Sequence, residues 1–137
     1  QSPLNVSDGG ETVLARFMDA TAGSGVQQIA FETNDIFTYV EEARRKGVPF
    51  LPIPDNYYAD LAARFDIEPE LLERMRNLGI LYDQNSSGVF FHIYTESFED
   101  RFFFEVLERR GYDQFGAANT PVRLVAQARA QDGRTQF

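Results

Sequence analysis

The segment VFFHIYTESFEDRFFFEVLERR, residues 89–110, decides how the rest of the chain is interpreted. Two aromatic runs, Val89–Thr95 and Phe102–Leu107, flank the short polar segment Glu96–Arg101. Strand-like runs on both sides of a short polar link are typical of a β-hairpin. The segment therefore predicts two antiparallel strands.

Each of these strands carries one polar residue in its middle. His92 is the single histidine of the chain, and Glu105 follows three consecutive phenylalanines. Because strand side chains alternate between the two faces of a sheet, Phe103, Glu105 and Leu107 lie on the same face. Burying a carboxylate on an aromatic face is costly, so Glu105 requires a metal, a cation or a proton.

The residues alone leave two interpretations open for each position. His92 fits a hydrogen-bonded core histidine beside aromatic rings, or a metal ligand in a site of two histidines and one carboxylate. Glu105 fits an ion pair with Arg101, Arg109 or Arg110, or a metal ligand. A chain with a single histidine cannot supply the two that such an iron site uses.

Length, charge and composition limit the class of protein. The 137 residues are enough for one domain with a buried core, and thirteen basic against twenty-one acidic residues give a net charge of −8. This acidity argues against a nucleic-acid partner. There is no cysteine, and we find neither a signal peptide nor a membrane-spanning apolar run. These features favour a soluble, cytoplasmic protein that does not contact membranes.

The first third of the chain predicts strands and helices in alternation. Gln1–Val6 resembles a strand, and Glu11–Ala20 has apolar residues at helical spacing. Val26–Phe31 predicts a short strand, and Ile36–Lys46 a helix that Asn34 or Asp35 caps.

The segments before and after the hairpin are predicted as follows. Val48–Ile53 is extended, and two further helices cover Asp55–Phe65 and Glu68–Leu78, the second capped by Asp66 and ended by Gly79. Ile80–Tyr82 opens a strand that leads into a turn and the hairpin. The segment after Gly111 has no clean period, and Gln127–Phe137 is polar and is predicted to be frayed.

Several strings of this sequence together resemble one family. They are VQQIAFETNDIF, FLPIPDNYYADL, LLERMRNLGILYD, FFHIYTESF and RFFFEVLERRG, followed by FGAAN. From about Leu4 to Asn119, they are similar to the closing module of 4-hydroxyphenylpyruvate dioxygenase. The resemblance implies an α+β fold: a βαβββ vicinal-oxygen-chelate module of the glyoxalase/dioxygenase type. Such a module forms half of an open barrel, here with extra helices between the second and third strands.

The resemblance also implies a division of the chain and a cofactor. Residues 1–25 become a lead-in strand and helix from the preceding module, 26–120 the module itself, and 121–137 a tail. The implied cofactor is Fe(II) or another divalent metal, which holds a 2-oxo acid through its carboxylate and keto oxygens.

The ligand positions depart from the family pattern. Glu105 matches the family's metal-binding glutamate, but Gln28 stands where the family has a metal-binding histidine, and His92 stands where it has a glutamine that contacts the substrate. Histidine and glutamine have thus exchanged strands, and the family's remaining histidine ligand lies in the preceding module. Two outcomes stay open. Either Glu105, His92 and Gln28 rebuild a metal site, or the cavity holds something else.

The remaining site predictions concern substrate contacts. By resemblance, these residues are Gln27, Tyr94, Phe103, Phe115 and Asn119. Thr120 replaces a phenylalanine that packs on the substrate ring in the family.

Two functions follow from the resemblance. The first is the closing module of an oxygenase that acts on an aromatic 2-oxo acid in aromatic catabolism. The alternative is a dioxygenase-like domain, with or without oxygenase activity, fused to a bacterial 3-dehydroshikimate dehydratase, which forms protocatechuate. The predicted partners are a small aromatic or 2-oxo acid, the preceding module of the same protein, and a second copy of the chain, because half a barrel exposes an aromatic face.

Overall fold

The structure is a computed structural model that describes the backbone of residues 4–8, 11–22 and 26–135, and the side chains of residues 26–132. Within these ranges the chain forms one mixed sheet with helices. The strands are β1 (Leu4–Asp8), β2 (Glu11–Ala22), β3 (Val26–Thr33), β4 (Leu81–Gln84), β5 (Val89–Tyr94) and β6 (Phe102–Arg110). The helices are α1 (Ile36–Arg45), α2 (Asp55–Arg64), α3 (Pro69–Leu78) and α4 (Thr120–Thr135), and a 3-10 turn covers Ala117–Asn119.

The sheet has the strand order β1-β2-β3-β6-β5-β4 and is open rather than closed into a barrel. β3 and β6 run parallel, and the other neighbouring strands run antiparallel. β3, α1 and the three strands β4–β6 form the βαβββ unit, so the predicted α+β module is confirmed. The two extra helices, α2 and α3, precede β4. The segment predicted as extended, Val48–Ile53, pairs with the sheet only through an isolated bridge from Phe50 to Thr95.

The hairpin has both of its faces covered. Phe91 and Ile93 of β5 belong to the main apolar core, and the ring of Phe37 on α1 meets the ring of Phe91 edge to face. The opposite face of β5 carries Phe90 and His92, both without solvent exposure. Alternate residues of β5 face opposite layers, and because both layers are covered, all of Phe90–Thr95 is buried.

Two secondary-structure predictions were wrong for the same physical reason. Glu11–Ala20 is part of strand β2, which pairs with β3, so strand pairing overrides the helical spacing of its apolar residues. Gln127–Phe137 was predicted as frayed, but α4 continues to Thr135. Ala126 of α4 is buried, so tertiary packing holds a helix whose own apolar period is weak.

The observed ends of the helices agree in part with the ends predicted from the sequence. Asp35 is the N-cap of α1 and accepts a hydrogen bond from the Thr38 amide at 3.3 Å. The cap predicted at Asp66 was wrong, because α3 begins with Glu68 as a cap whose side chain makes no hydrogen bond. Gly79 ends α3 in the left-handed conformation, as predicted.

A second carboxylate, Glu108 of β6, contributes to the start of α1. It is buried and accepts a hydrogen bond from the Ile36 amide at 2.9 Å, and Arg110 neutralises it at 2.7 Å. A negative charge at a helix N-terminus is favourable, so β6 fixes the position of α1 through this contact.

No helix in the described part of the chain is long and apolar enough to cross a membrane. Residues 1–3, 9–10, 23–25, 136 and 137 lie outside the described residues, so the parts of the predicted first strand, turns and tail that fall on them are not assessed.

Candidate functional site

The hairpin brings its two polar residues together on one face of the sheet. β5 and β6 pair with Tyr94 opposite Glu105 and His92 opposite Leu107, so His92 and Glu105 are diagonal neighbours. Nδ1 of His92 lies 2.9 Å from Oε2 of Glu105. His92 has no solvent exposure, and Glu105 is 4% exposed.

The parallel neighbour β3 adds Gln28 to this pair. Its side-chain Nε2 donates a hydrogen bond to Oε1 of Glu105 at 2.5 Å. Each oxygen of the carboxylate therefore has its own donor, one from β3 and one from β5. The three residues predicted as metal ligands are thus brought together around the carboxylate.

Asn119 contacts the other side of His92. It lies in the 3-10 turn before α4, and its Nδ2 is 2.9 Å from Nε2 of His92 and 3.0 Å from the backbone carbonyl of Tyr82. Its Oδ1 accepts a hydrogen bond from the Tyr57 hydroxyl at 3.0 Å. Asn119 is 2% exposed, so this amide is fully paired inside the protein.

These contacts fix the protonation pattern of His92. The Tyr82 carbonyl can only accept, so the Asn119 atom beside it is the amide nitrogen. That nitrogen then donates to Nε2 of His92, which has to carry a lone pair. The proton of the neutral ring is therefore on Nδ1 and is donated to Glu105. Both ring nitrogens are engaged, as expected of a hydrogen-bonded core histidine.

Aromatic rings surround this polar group. The His92 ring centroid lies 4.5 Å from that of Phe90 and 5.2 Å from that of Tyr94. Tyr94 is also paired edge to face with Phe103, with 5.9 Å between the ring centroids. Burial is the main cause that raises the pKa of the Tyr94 hydroxyl, and the nearby charge of Glu105 adds to it.

Two arginines close to Glu105 in sequence, Arg109 and Arg110, pair with other carboxylates. Arg109 pairs with Glu32 at 3.0 Å, and Arg110 pairs with Glu108. Among the described residues, no arginine forms an ion pair with Glu105, so the ion-pair interpretation of Glu105, one of the two left open, does not hold. The carboxylate is held by neutral donors.

The predicted substrate contacts are only partly brought together. Tyr94, Phe103 and Asn119 lie around the Glu105 group, as described above. Gln27 is exposed, since its neighbour Gln28 takes the inward position on β3. Phe115 is 63% exposed and contacts the guanidinium of Arg109, so it lies apart from the group.

The donor atoms around Glu105 decide whether this group fits a metal ion. Within the described residues, no group of three or more His, Cys, Asp or Glu side chains could hold one. Glu105 and the amide oxygen of Gln28 are oxygen donors, whereas both nitrogens of His92 are engaged in hydrogen bonds. As arranged, these residues do not fit a metal site on their own, and the ligand set stays a prediction.

Sequence reasoning missed two members of this region. Tyr57 was assigned only to a helix, yet its hydroxyl joins α2 to Asn119 and to the Tyr82 carbonyl at 3.1 Å. Arg123 lies in the segment without a clean period. Its spacing of four residues from both Asn119 and Gln127 is a helical signal that could have placed all three on one face.

Comparisons with known proteins agree with this fold. The chain is 51% identical over 133 residues to a 3-dehydroshikimate dehydratase of Pseudomonas aeruginosa, covering 96% of this chain and 21% of that protein. It is 37% identical over 112 residues to the 4-hydroxyphenylpyruvate dioxygenase of Caenorhabditis briggsae, covering 77% of this chain and 28% of that protein. No protein-family model matches the chain.

A solved structure supports the same assignment. It is a xylose isomerase-like TIM barrel/4-hydroxyphenylpyruvate dioxygenase fusion protein, with 52% identity and a TM-score of 0.74 over 76% of this chain and 17% of that one. The chain is a 4-hydroxyphenylpyruvate-dioxygenase-like module. It spans about a fifth of the length of the dehydratase that it matches.

Proposed function

We propose that this dioxygenase-like module follows a barrel in a 3-dehydroshikimate dehydratase fusion and does not itself perform iron-dependent oxygenation. The identity of 51% to a dehydratase exceeds the 37% to a dioxygenase and covers more of this chain. The neighbouring fold, a barrel joined to a dioxygenase, has the arrangement that the proposal requires. A cytoplasmic location and self-association are parts of this proposal.

One observation carries the proposal: the imidazole of His92 is not free to bind a metal. Its Nδ1–H faces Glu105, and its Nε2 accepts from Asn119. Gln28 offers only a neutral amide oxygen where the family has a second imidazole. Iron(II) oxygenases use two histidines and one carboxylate, and this set is not offered by the described residues.

The oxygen donors favour a different kind of metal. Carboxylate and amide oxygens suit magnesium, manganese or calcium, which bind oxygen ligands. Glu105 and Gln28 are therefore able to contribute to a non-redox metal site that a preceding module completes. Such a metal would be structural or would orient a ligand.

A second candidate, the oxygenase that acts on an aromatic 2-oxo acid, is favoured by the position of Glu105. This carboxylate faces inward beside the rings of Tyr94 and Phe103, in the place that the family uses for its metal. If the contact between His92 and Asn119 were lost, Nε2 of His92 would become free to bind a metal.

The decisive experiment measures metal content and oxygen uptake on the full-length protein. We expect no oxygen consumption with 4-hydroxyphenylpyruvate after loading with Fe(II), together with dehydration of 3-dehydroshikimate to protocatechuate. Stoichiometric iron with turnover of 4-hydroxyphenylpyruvate would instead establish the oxygenase.

Two substitutions separate the roles of the site residues. Glu105→Ala abolishes any metal binding if the carboxylate is a ligand, whereas the exposed Glu70→Ala leaves it unchanged. His92→Gln lowers metal affinity only if the imidazole is a ligand. Unchanged metal affinity in Glu105→Ala would show that the carboxylate serves only the hydrogen-bond network.

A further inference from the structure

Arg123 of α4 is a buried cation with an incomplete set of partners. It is 8% exposed, and its Nη1 donates to Oε1 of Gln127 at 3.1 Å. Its Nε is buried and makes no hydrogen bond. Among the described residues, no carboxylate forms an ion pair with Arg123. A buried charge without an anionic partner is unusual, because its desolvation is not repaid.

The neighbours of Arg123 offset only part of this cost. Its guanidinium carbon lies 5.5 Å from the ring centroid of Tyr94 and 5.3 Å from that of Phe103. Contacts with aromatic faces stabilise a cation without satisfying its N–H donors. The unpartnered Nε therefore indicates a missing acceptor.

Glu105 does not supply that acceptor. Its two oxygens are engaged by Gln28 and His92. The carboxylate of Glu105 and the guanidinium of Arg123 do not pair directly. The guanidinium of Arg123 therefore stays available for an anion other than Glu105.

We propose that Arg123 binds the carboxylate of a small organic acid with an apolar body. Nε and Nη2 form one edge of the planar guanidinium, and this edge matches the two oxygens of a carboxylate. The contact of Nη1 with Gln127 orients the guanidinium while leaving that edge available. The rings of Tyr94 and Phe103 provide apolar surroundings, which favour an aromatic or cyclic acid over a hydrated inorganic anion.

Binding of such a ligand at Nε requires α4 to shift. Nε has no contact with solvent, so the carboxylate has to be buried together with it. The residues of α4 in the apolar core are small: Ala126 is buried, and Val122 and Ala130 are partly buried. Shifting a helix that is held by small side chains costs less than shifting one held by large ones.

The inference deepens the proposed function, because it names the ligand class of the same face of the sheet. It requires neither a metal nor oxygen. A failure to bind carboxylates would leave the oxygen-uptake and dehydratase results unchanged, so the two proposals can fail separately.

The test is calorimetric titration of the full-length protein, freed of metal with a chelator, with benzoate and with benzamide. Benzamide has the shape of benzoate without its charge. We expect benzoate to bind and benzamide to bind at least tenfold more weakly. Arg123→Met should weaken benzoate binding about ten- to hundredfold, because a hydrogen bond between charged groups is lost. The exposed Arg129→Met, on the same helix, should bind benzoate like the wild type.

Three results would overturn the inference. They are absence of benzoate binding, equal affinity for benzoate and benzamide, and equal losses in Arg123→Met and Arg129→Met. The comparison of the two ligands uses only the wild-type protein, so it stays decisive even if Arg123→Met does not fold.

Discussion

Replacing Asn119 with alanine tests the hydrogen-bond network directly. In the wild type, its amide donates to His92 and to the Tyr82 carbonyl and accepts from the Tyr57 hydroxyl. In Asn119→Ala, the Tyr57 hydroxyl can still donate a hydrogen bond to the Tyr82 carbonyl oxygen, which lies 3.1 Å away. Only Nε2 of His92 loses its sole partner.

The loss in the free energy of unfolding has two parts, the unpaired ring nitrogen and the space left by the amide. Leaving one buried acceptor without a donor costs about 1–3 kcal/mol. The space left by the buried amide of Asn119, which is 2% exposed, adds a cavity cost of about 1 kcal/mol. We therefore expect a loss of about 3 kcal/mol in the free energy of unfolding. For a module of this size, the loss corresponds to a melting temperature lowered by roughly 12 °C.

The assay is calorimetric melting of the full-length protein, with Asn85→Ala as the matched control. Asn85 also uses its side chain as donor and acceptor, with Asp113, Ser87 and Gly88 as partners, but it is exposed to solvent. Water replaces its lost partners, so its variant should melt within about 4 °C of the wild type. Equal shifts in the two variants would refute the reasoning that burial makes the Asn119 contact with His92 essential.

Three further predictions address the cap of α1, a tight turn and the buried tyrosine Tyr112. Asp35→Ala should lower the free energy of unfolding by about 1 kcal/mol, because the cap of α1 is lost. Asn34→Ala should change it little in the same denaturation assay, and an equal effect would contradict the assigned cap. Gly116 and Gly47 both have positive φ, at 69° and 89°, but only a Cβ at Gly116 meets a ring atom, at 2.6 Å. Gly116→Ala should therefore cost about 1–3 kcal/mol more than Gly47→Ala in denaturant titrations, and equal costs would exclude close packing there. Burial, and to a smaller extent a hydrogen bond with Asp83, raises the pKa of Tyr112 to about 12. The folded state therefore favours the protonated hydroxyl, and the stability that this group contributes below pH ~10 should be lost as the pH rises toward 12. Ultraviolet titration against Tyr112→Phe measures this pKa, and a value near ~10 would contradict the contact.

The sequence predicted those parts of the fold where local signals and tertiary contacts agree. Aromatic runs on both sides of a polar link predicted β5 and β6, and Gly79 predicted the end of α3. Glu11–Ala20 failed because the spacing of its apolar residues favoured a helix, whereas its place beside β3 requires a strand. Spacing within a segment carries no information about the strand next to it.

The candidate site was predicted in its composition but not in its hydrogen bonding. The resemblance selected Gln28, His92, Glu105 and Asn119, and the structure places these four in a continuous chain of contacts. The identity of the atom that faces each ring nitrogen depends on the three-dimensional positions of backbone carbonyls. The role of Arg123 depends in the same way on how α4 packs, which its polar sequence does not reveal.

The exchange of histidine and glutamine between positions 28 and 92 has a physical consequence that either change alone would lack. A glutamine at 28 removes an imidazole but still offers an N–H to Glu105. A histidine at 92 offers a second N–H to the same carboxylate and a lone pair to Asn119. The two changes together give each carboxylate oxygen a neutral donor and leave no imidazole nitrogen free. An inward-facing acid can then persist without a metal, because strong hydrogen bonds to the charged form replace the missing cation.

Two single substitutions separate the effects of the exchange. His92→Gln alone removes the partner of Asn119 and should destabilise the module, whereas Gln28→His alone should introduce a nitrogen ligand beside Glu105. Gain of divalent metal binding by Gln28→His, measured on the full-length protein, is the expected result; no gain would show that the geometry around Glu105, rather than the residue type at position 28, prevents metal binding.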